Sequence, residues 1–148
     1  MTVEIRHVAA DAVRPLRHAV LRQGAPLAES VYPVDDLPDT VHLGALDDGA
    51  VIGTATFFPE PYEGRAAWRL RGMAVAEERR GAGVGSLMLD EAVAEVRQNE
   101  ADLLWCNART VALPFYSRRG FTIVGEEFLV AHGVPHYLAV LKMTPNQA

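Results

Sequence analysis

The sequence has one cysteine, Cys106, and one lysine, Lys142. A single thiol excludes an internal disulfide framework and makes a reducing cytoplasm the expected compartment. Nowhere does the chain approach the roughly 18 consecutive apolar residues of a membrane span. Its opening segment, Met1–Arg6, lacks the long apolar core of a secretory signal, so no membrane role is expected. With 14 basic residues against 19 acidic ones, the net charge of −5 lacks the basic surplus typical of nucleic-acid binding. No Gly-Lys-Ser/Thr occurs, which excludes a Walker-type phosphate loop. Repeats and low-complexity tracts are also missing. What is present is 148 residues, 49% of them hydrophobic and 22% charged, a composition that predicts one packed domain over residues 1–148 rather than disorder.

Charge is unevenly placed. No lysine or arginine falls between Arg22 and Arg65, a stretch that holds Glu29, Asp35, Asp36, Asp39, Asp47, Asp48, Glu60 and Glu63. Arg65, Arg69, Arg71, Arg79 and Arg80 follow, opposed by Glu77 and Glu78. Such a division either steers a cationic ligand to one end and an anionic one to the other, or reflects two solvated surfaces.

Periodicity and turn residues give the order βαβββαβαββ. Val3–Val8 reads as a first strand. Asp11 is the expected cap of a helix carrying Val13, Leu16, Val20 and Leu21 on one face, with Pro15 near its first turn. Gly24 and Pro26 end it, and residues 24–40 form a connection rich in proline and aspartate. Val41–Leu46 and Val51–Phe58 flank Asp47-Asp48-Gly49, a hairpin signal. Ala66–Val75 is a third long strand. Val84, Leu87, Met88, Ala92, Val93 and Val96 share one face of the next helix, with Asp90, Glu91 and Glu95 turned away. Leu103–Cys106 reads as a buried parallel strand. Thr110 is the expected cap of a helix running to about Arg119, with Pro114 in its first turn and Gly120 as its stop. Phe121–Val124 and Tyr137–Met143 complete the strands, with Gly133 and Pro135 between them.

The strongest chemical signal is Met73-Ala74-Val75 followed by Arg80-Gly81-Ala82-Gly83-Val84-Gly85-Ser86. A strand that enters a helix through a glycine turn presents free N–H groups at the positive helix end, an anion cradle suited to phosphates. Glycine lets the backbone approach such a ligand closely. Dinucleotide binding is disfavoured, because the fingerprint needs glycine where Ser86 stands.

Arg80-x-x-Gly83-x-Gly85, after an apolar strand ending Met73-Ala74-Val75, resembles the acyl-CoA signature of the GNAT superfamily of N-acyltransferases. Leu103-Leu104-Trp105-Cys106-Asn107-Ala108-Arg109, Ala112, Phe115-Tyr116 and Gly120-Phe121 are similar to that superfamily's late strand and Phe-Tyr-x-x-x-Gly-Phe helix end. The resemblance covers nearly the whole chain, although residues 9–40 match only in layout. It implies an α/β (α+β) fold with a mixed, mostly antiparallel twisted sheet, flanked by helices around the strand–glycine loop–helix unit. It also implies that Met73, Ala74 and Val75 hold the pantetheine arm of acetyl-CoA through their backbone. Amides around Gly81, Ala82, Gly83, Gly85 and Ser86, with Arg80, would hold the pyrophosphate. Asn107 and Phe115 would line the other side of the cofactor slot. Tyr116 would be the catalytic acid that protonates the departing thiolate, its hydroxyl in the slot and Phe115 turned toward the core.

One departure stands out. Relatives that carry a glutamate base on the strand before the glycine loop place it near the position of Arg69. Glu60, His42, His136 or a water chain are the substitutes. His132 and His136 have an i, i+4 spacing but sit in a Gly/Pro turn, so no metal site is expected. Cys106, in an apolar strand, reads as a buried thiol rather than a nucleophile.

The resemblance therefore implies a cytoplasmic N-acetyltransferase, monomeric or homodimeric, that moves the acetyl group of acetyl-CoA to a primary amine of a small molecule or peptide. A backbone N–H near Val75 would stabilise the oxyanion. A CoA-binding sensor without turnover and a partner-binding domain without cofactor are the rival readings. Retention of Tyr116 argues against the sensor.

Overall fold

The computed structural model describes residues 2–143. Its elements follow the expected order: β1 (Glu4–His7), α1 (Ala10–Leu21), β2 (Val41–Asp47), β3 (Ala50–Pro59), β4 (Ala67–Val75), α2 (Val84–Gln98), β5 (Leu103–Arg109), α3 (Leu113–Arg118), β6 (Thr122–Val130) and β7 (Val134–Lys142). The seven strands form one sheet in the order β1-β2-β3-β4-β5-β7-β6. Pairing is antiparallel for β1 with β2, β2 with β3, β5 with β7 and β6 with β7, and parallel for β4 with β5. The β2–β3 hairpin closes on Asp48-Gly49, both at positive φ (50° and 82°), the backbone that a two-residue Asp-Gly turn supplies.

The chain divides into two compact units. The first runs through Phe58 and takes up Arg71–Glu95. Its apolar cluster joins Ala45 and Ile52 of β2 and β3 to Val84 and Met88 of α2, with Met73 and Val75 of β4 packed against it. Each large side chain buried there contributes roughly 1.5–3 kcal/mol. Leu87, expected on this face, is 48% exposed, and Leu89 is buried instead, so the contact stripe is rotated from the one the apolar residues suggest. The second unit comprises Pro59–Leu70 and the chain from Val96 onward. There Ala67, Leu103 and Val140 form a buried cluster under Tyr62, Trp105 and Leu138.

The first unit also buries charge. On α1 only Val13 and Arg17 are fully covered, so an arginine occupies the centre of a stripe expected to be apolar. Arg17 donates to Asp35 Oδ2 (2.8 Å) and Oδ1 (3.2 Å), to the Ser30 carbonyl (2.8 Å) and to Thr56 Oγ1 (2.8 Å). Its guanidinium stacks on the Tyr32 ring at 3.8 Å, and Arg71 stacks on the same ring at 4.0 Å. Asp35 also accepts the Tyr32 N–H at 3.0 Å. This network orders residues 24–40, which hold two short 3-10 turns, Leu27–Ser30 and Pro33–Asp36. Gly72 of β4 leaves room for it. A Cβ there would lie 3.0 Å from Arg17 Nε, and φ is +64°, where a side chain is strained.

Three local expectations change. Asp11 lies inside the first turn of α1 rather than capping it, because Ala9 takes the cap position without a side-chain bond. Pro15 sits within the helix, beyond its first turn. Thr110 does not cap α3 either: it opens a 3-10 turn, Thr110–Ala112, and its hydroxyl donates to Glu127 at 2.8 Å.

Burial alone would raise the Asp35 carboxyl. The Arg17 hydrogen bonds, the Tyr32 N–H, the Arg17 charge and a smaller effect of His42 outweigh it and hold the group below its ordinary 3.8. A depressed carboxylate contributes stability above its unfolded pKa and loses it as pH falls through the lower folded value. Asp35→Asn should therefore destabilise the fold at pH 7 by about 3–5 kcal/mol, the effect of stranding a buried partner. Urea melts should show the gap to wild type closing below about pH 4.

Candidate active site

In the first unit, β4 leads through a 3-10 turn, Glu77–Arg79, into the glycine loop and α2. Gly81 and Gly83 have φ of 85° and 83°, and a Cβ built on either meets nothing within 4 Å. Packing therefore does not demand glycine here, but the left-handed backbone does, and the space over it is open. The first helical bond runs from the Leu87 N–H to the Gly83 carbonyl at 3.1 Å. The N–H groups of Val84, Gly85 and Ser86 thus fall in the helical turn that has no intrahelical acceptors. Gly81, Ala82 and Gly83 are exposed, while Gly85 and Ser86 are half-buried. Exposed Arg80 is tethered by its Nε to the Val75 carbonyl at 3.3 Å. Met73 and Val75 are partly covered, and Ala74 is buried. An open cradle of this kind, with a positive helix end and a nearby guanidinium, fits a diphosphate.

In the second unit, α3 carries Phe115 and Tyr116 beside β5. Burial is the reverse of expectation: Tyr116 is 6% exposed, and Phe115 is the half-covered ring. The two rings meet edge-to-face at 5.1 Å, and Tyr116 meets Phe121 in the same way at 5.2 Å. The Tyr116 hydroxyl and the Cys106 thiol are close enough to shift each other's titration. Desolvation first, then the neighbouring thiol, pushes Tyr116 well above its ordinary 10.0, so it keeps its proton at every physiological pH. Burial lifts Cys106 to about 12, against smaller opposing effects of Tyr116 and the Arg69 charge. Asn107 is half-buried on β5, opposite Leu138 of β7.

The proton acceptors separate clearly. His42 is buried, with both ring nitrogens engaged. Nε2 donates to the Asp35 carbonyl, which can only accept, at 3.0 Å, and Nδ1 lies 2.8 Å from the Thr56 hydroxyl. It is a structural histidine of the Arg17 network. Glu60 is half-exposed and pairs with Arg69 at 3.4 Å. His136 donates from Nδ1 to the Val134 carbonyl at 2.8 Å and stacks on Phe128. Among the described residues no group of histidine, cysteine or carboxylates is arranged to hold a metal.

Folding pairs part of the acidic stretch with arginines. Asp35, Asp36, Asp47 and Glu60 pair with Arg17, Arg14, Arg79 and Arg69, and Arg65 pairs with Asp102. Much of the acidic stretch is thus neutralised by cations brought from other elements.

The acetyltransferase (GNAT) domain family matches residues 38–123, more than half of the chain, including the glycine loop and Tyr116. The chain belongs to the GNAT family. Bacillus subtilis YitI, named an N-acetyltransferase, is 28% identical over 143 residues, covering 95% of each chain. Two solved structures share the fold. An acyl-CoA N-acyltransferase from Pseudomonas aeruginosa superposes with a TM-score of 0.77 at 22% identity, over 95% of this chain and 99% of that one. An aminoglycoside 6'-N-acetyltransferase complexed with coenzyme A gives 0.79 at 15% identity, over 98% and 99%. This GNAT protein is an acyltransferase of the N-acetyltransferase type, with an acyl-CoA as cosubstrate and an amine as acceptor. No described helix is long and apolar enough to cross a membrane.

Sequence reasoning passed over the contacts of Arg69 with Trp105 and of Tyr32 with two arginines. The available signal was a charged residue inside an apolar pattern, Arg69 in β4 and Arg17 in α1.

A thiol raised to about 12 and sealed from solvent is a poor nucleophile, since the thiolate is the reactive form. Native protein at pH 8 should leave an aromatic disulfide reagent unreacted, and one thiol per chain should appear on adding denaturant. Stoichiometric reaction of the folded protein would mean that Cys106 is accessible.

Proposed function

We propose that the chain acts as one N-acetyltransferase domain that uses acetyl-CoA and acylates a primary amine of a small molecule or peptide. The observation that carries this reading is the open glycine cradle at the start of α2, with Gly81 and Gly83 in left-handed backbone. Amides of Gly81, Ala82, Gly83, Gly85 and Ser86 hold the pyrophosphate, assisted by Arg80. Backbone groups of Met73, Ala74 and Val75 hold the pantetheine arm, and Asn107 and Phe115 also contact the cofactor. Acetyl-CoA supplies an activated acyl carbon. The amine nitrogen bonds that carbon as the C–S bond breaks, and the Val75 N–H faces the oxygen that gains charge.

Tyr116 delivers the proton to the departing sulfur. A thiol near pKa 8.5 is more acidic than a tyrosine held above 10, so the proton moves as the C–S bond breaks rather than in advance. The Cys106 thiol is the one titratable neighbour that affects this hydroxyl, and a thiol is a weak acceptor. Glu60, His136 and solvent are left to take the proton from nitrogen, His42 being fully engaged in the Arg17 network.

Acetyl-CoA should raise Tm, because it binds the native state alone. Gly83→Asp, which strains a left-handed position and sets a negative charge in the cradle, should abolish that shift. An undiminished shift in folded Gly83→Asp would move the phosphate site elsewhere.

Tyr116→Phe keeps both edge-to-face contacts and removes only the hydroxyl. It should lower kcat by about 10²–10⁴-fold with little change in acetyl-CoA affinity. Turnover at the wild-type rate would make Tyr116 a packing residue and solvent the acid.

A further inference from the structure

Arg69 keeps a guanidinium that the protein itself scarcely uses. It stands at the last recorded pair of the β4–β5 ladder, directly opposite Trp105, and its Cζ lies 4.7 Å from that ring's centre. Its side chain is only 20% exposed. One nitrogen, Nη1, reaches the Glu60 carboxylate at 3.4 and 3.5 Å, well beyond the 2.7–2.9 Å of a strong charge-assisted bond. Nε is buried without a partner, and among the described residues the guanidinium makes no hydrogen bond besides the two long Nη1 contacts. What sets Arg69 apart from the buried Arg17 is the length of its carboxylate contacts, against 2.8 Å for Arg17 with Asp35.

The surroundings are equally specific. Trp105 is fixed by donating from Nε1 to the Glu60 carbonyl at 3.0 Å, and Tyr62 lies beside it, ring centres 5.9 Å apart. The Glu60 carboxylate is 38% exposed. A cation with idle donors, a reachable anion and two aromatic rings therefore adjoin one another in the second unit. The Arg69 charge is also felt at Cys106, the neighbour of Tyr116.

Each part selects a ligand group. A planar guanidinium with unused donors takes a carboxylate. A partly exposed carboxylate beside it takes an ammonium, and the rings take an apolar or aromatic side chain. The opposite charges adjoin, so the two ligand groups must adjoin as well. We propose that this cluster is the acceptor subsite and that the acceptor is a free α-amino acid with an apolar or aromatic side chain, its carboxylate on Arg69 and its ammonium on Glu60. The inference rests on the acyl-transfer reading and names the substrate class for it. In the reaction two protons leave the ammonium nitrogen, the N–C bond forms and the C–S bond breaks. One proton ends on the sulfur and the other in solvent.

The test compares L-phenylalanine, L-phenylalaninamide and 2-phenylethylamine as acceptors, with thiol release from acetyl-CoA as readout. Wild type should favour the amino acid in kcat/KM by about 10–100-fold, the value of a hydrogen-bonded charge contact. Arg69→Gln should raise KM for phenylalanine by a similar factor, far more than it changes kcat, and bring the three amines toward parity. Arg69→Lys should recover part of the preference. Calorimetric titration with L-phenylalanine alone should show saturable binding to wild type that Arg69→Gln loses. Thiol release at equal efficiency for the three amines in wild type would overturn the subsite and leave acyl transfer standing. An acetyl-CoA Tm shift without thiol release from any amine would instead count against the transferase reading, and the calorimetry would still decide whether Arg69 binds a carboxylate. If Arg69→Gln does not fold, the wild-type comparison of the three amines decides alone.

Discussion

The first unit is organised around one buried ion pair. Arg17 and Asp35 are both withdrawn from water, and neither would be tolerated there without the other. Their neighbours meet most of that demand, Arg17 Nε and Ser30 Oγ being left without partners. The Ser30 carbonyl, the Thr56 hydroxyl, the Tyr32 N–H and the Tyr32 ring each supply one contact. Because the contacts come from α1, the 24–40 connection and β3, the pair fixes how a proline-rich segment with little helix or strand of its own lies on its neighbours. His42 and Gly72 answer to it as well, the first by completing the hydrogen-bond chain and the second by leaving space. A histidine tied this firmly into a structural network is withdrawn from acid–base chemistry.

The order of elements was legible because its punctuation is local. Asp48-Gly49, Gly120 and the glycines around residue 83 act within a turn of their own positions, where sequence neighbours decide the outcome. The residues that misled are those whose fate is set at long range. Arg17 drew no reading from the sequence, because its partner lies 18 residues away across a loop. The acidic stretch looked like an uncompensated field, because Arg14, Arg17, Arg69 and Arg79 reach it only after folding. At about 100° per residue Leu89 falls beside Ala92 and Val96 while Leu87 lies beyond the edge of that arc, and burial follows the arc. Phe115 and Tyr116 differ by one hydroxyl. The tyrosine takes the inner place that hydropathy would assign to phenylalanine, its ring packed edge-to-face on both Phe115 and Phe121.

The candidate chemistry divides along the same line. The glycine cradle depends on backbone conformation, which sequence reports well through glycine placement. The environment of Tyr116 depends on a ring triplet and a sulfur from three elements, α3, β5 and the Phe121 position before β6. Motif spacing located the tyrosine there without revealing what surrounds it. Arg69 is the extreme case: its position in β4 was noted only as a departure from relatives, while its meaning lies in Glu60, Tyr62 and Trp105, none of which its sequence neighbours bring near.

The burial of Cys106 has a consequence for a catalyst whose every cycle releases a free thiol. A surface sulfhydryl would be exposed to mixed-disulfide formation with that product whenever an oxidant was present, and the enzyme would be capped by its own by-product. With its only sulfhydryl enclosed under Tyr116, this chain offers the product nothing to pair with.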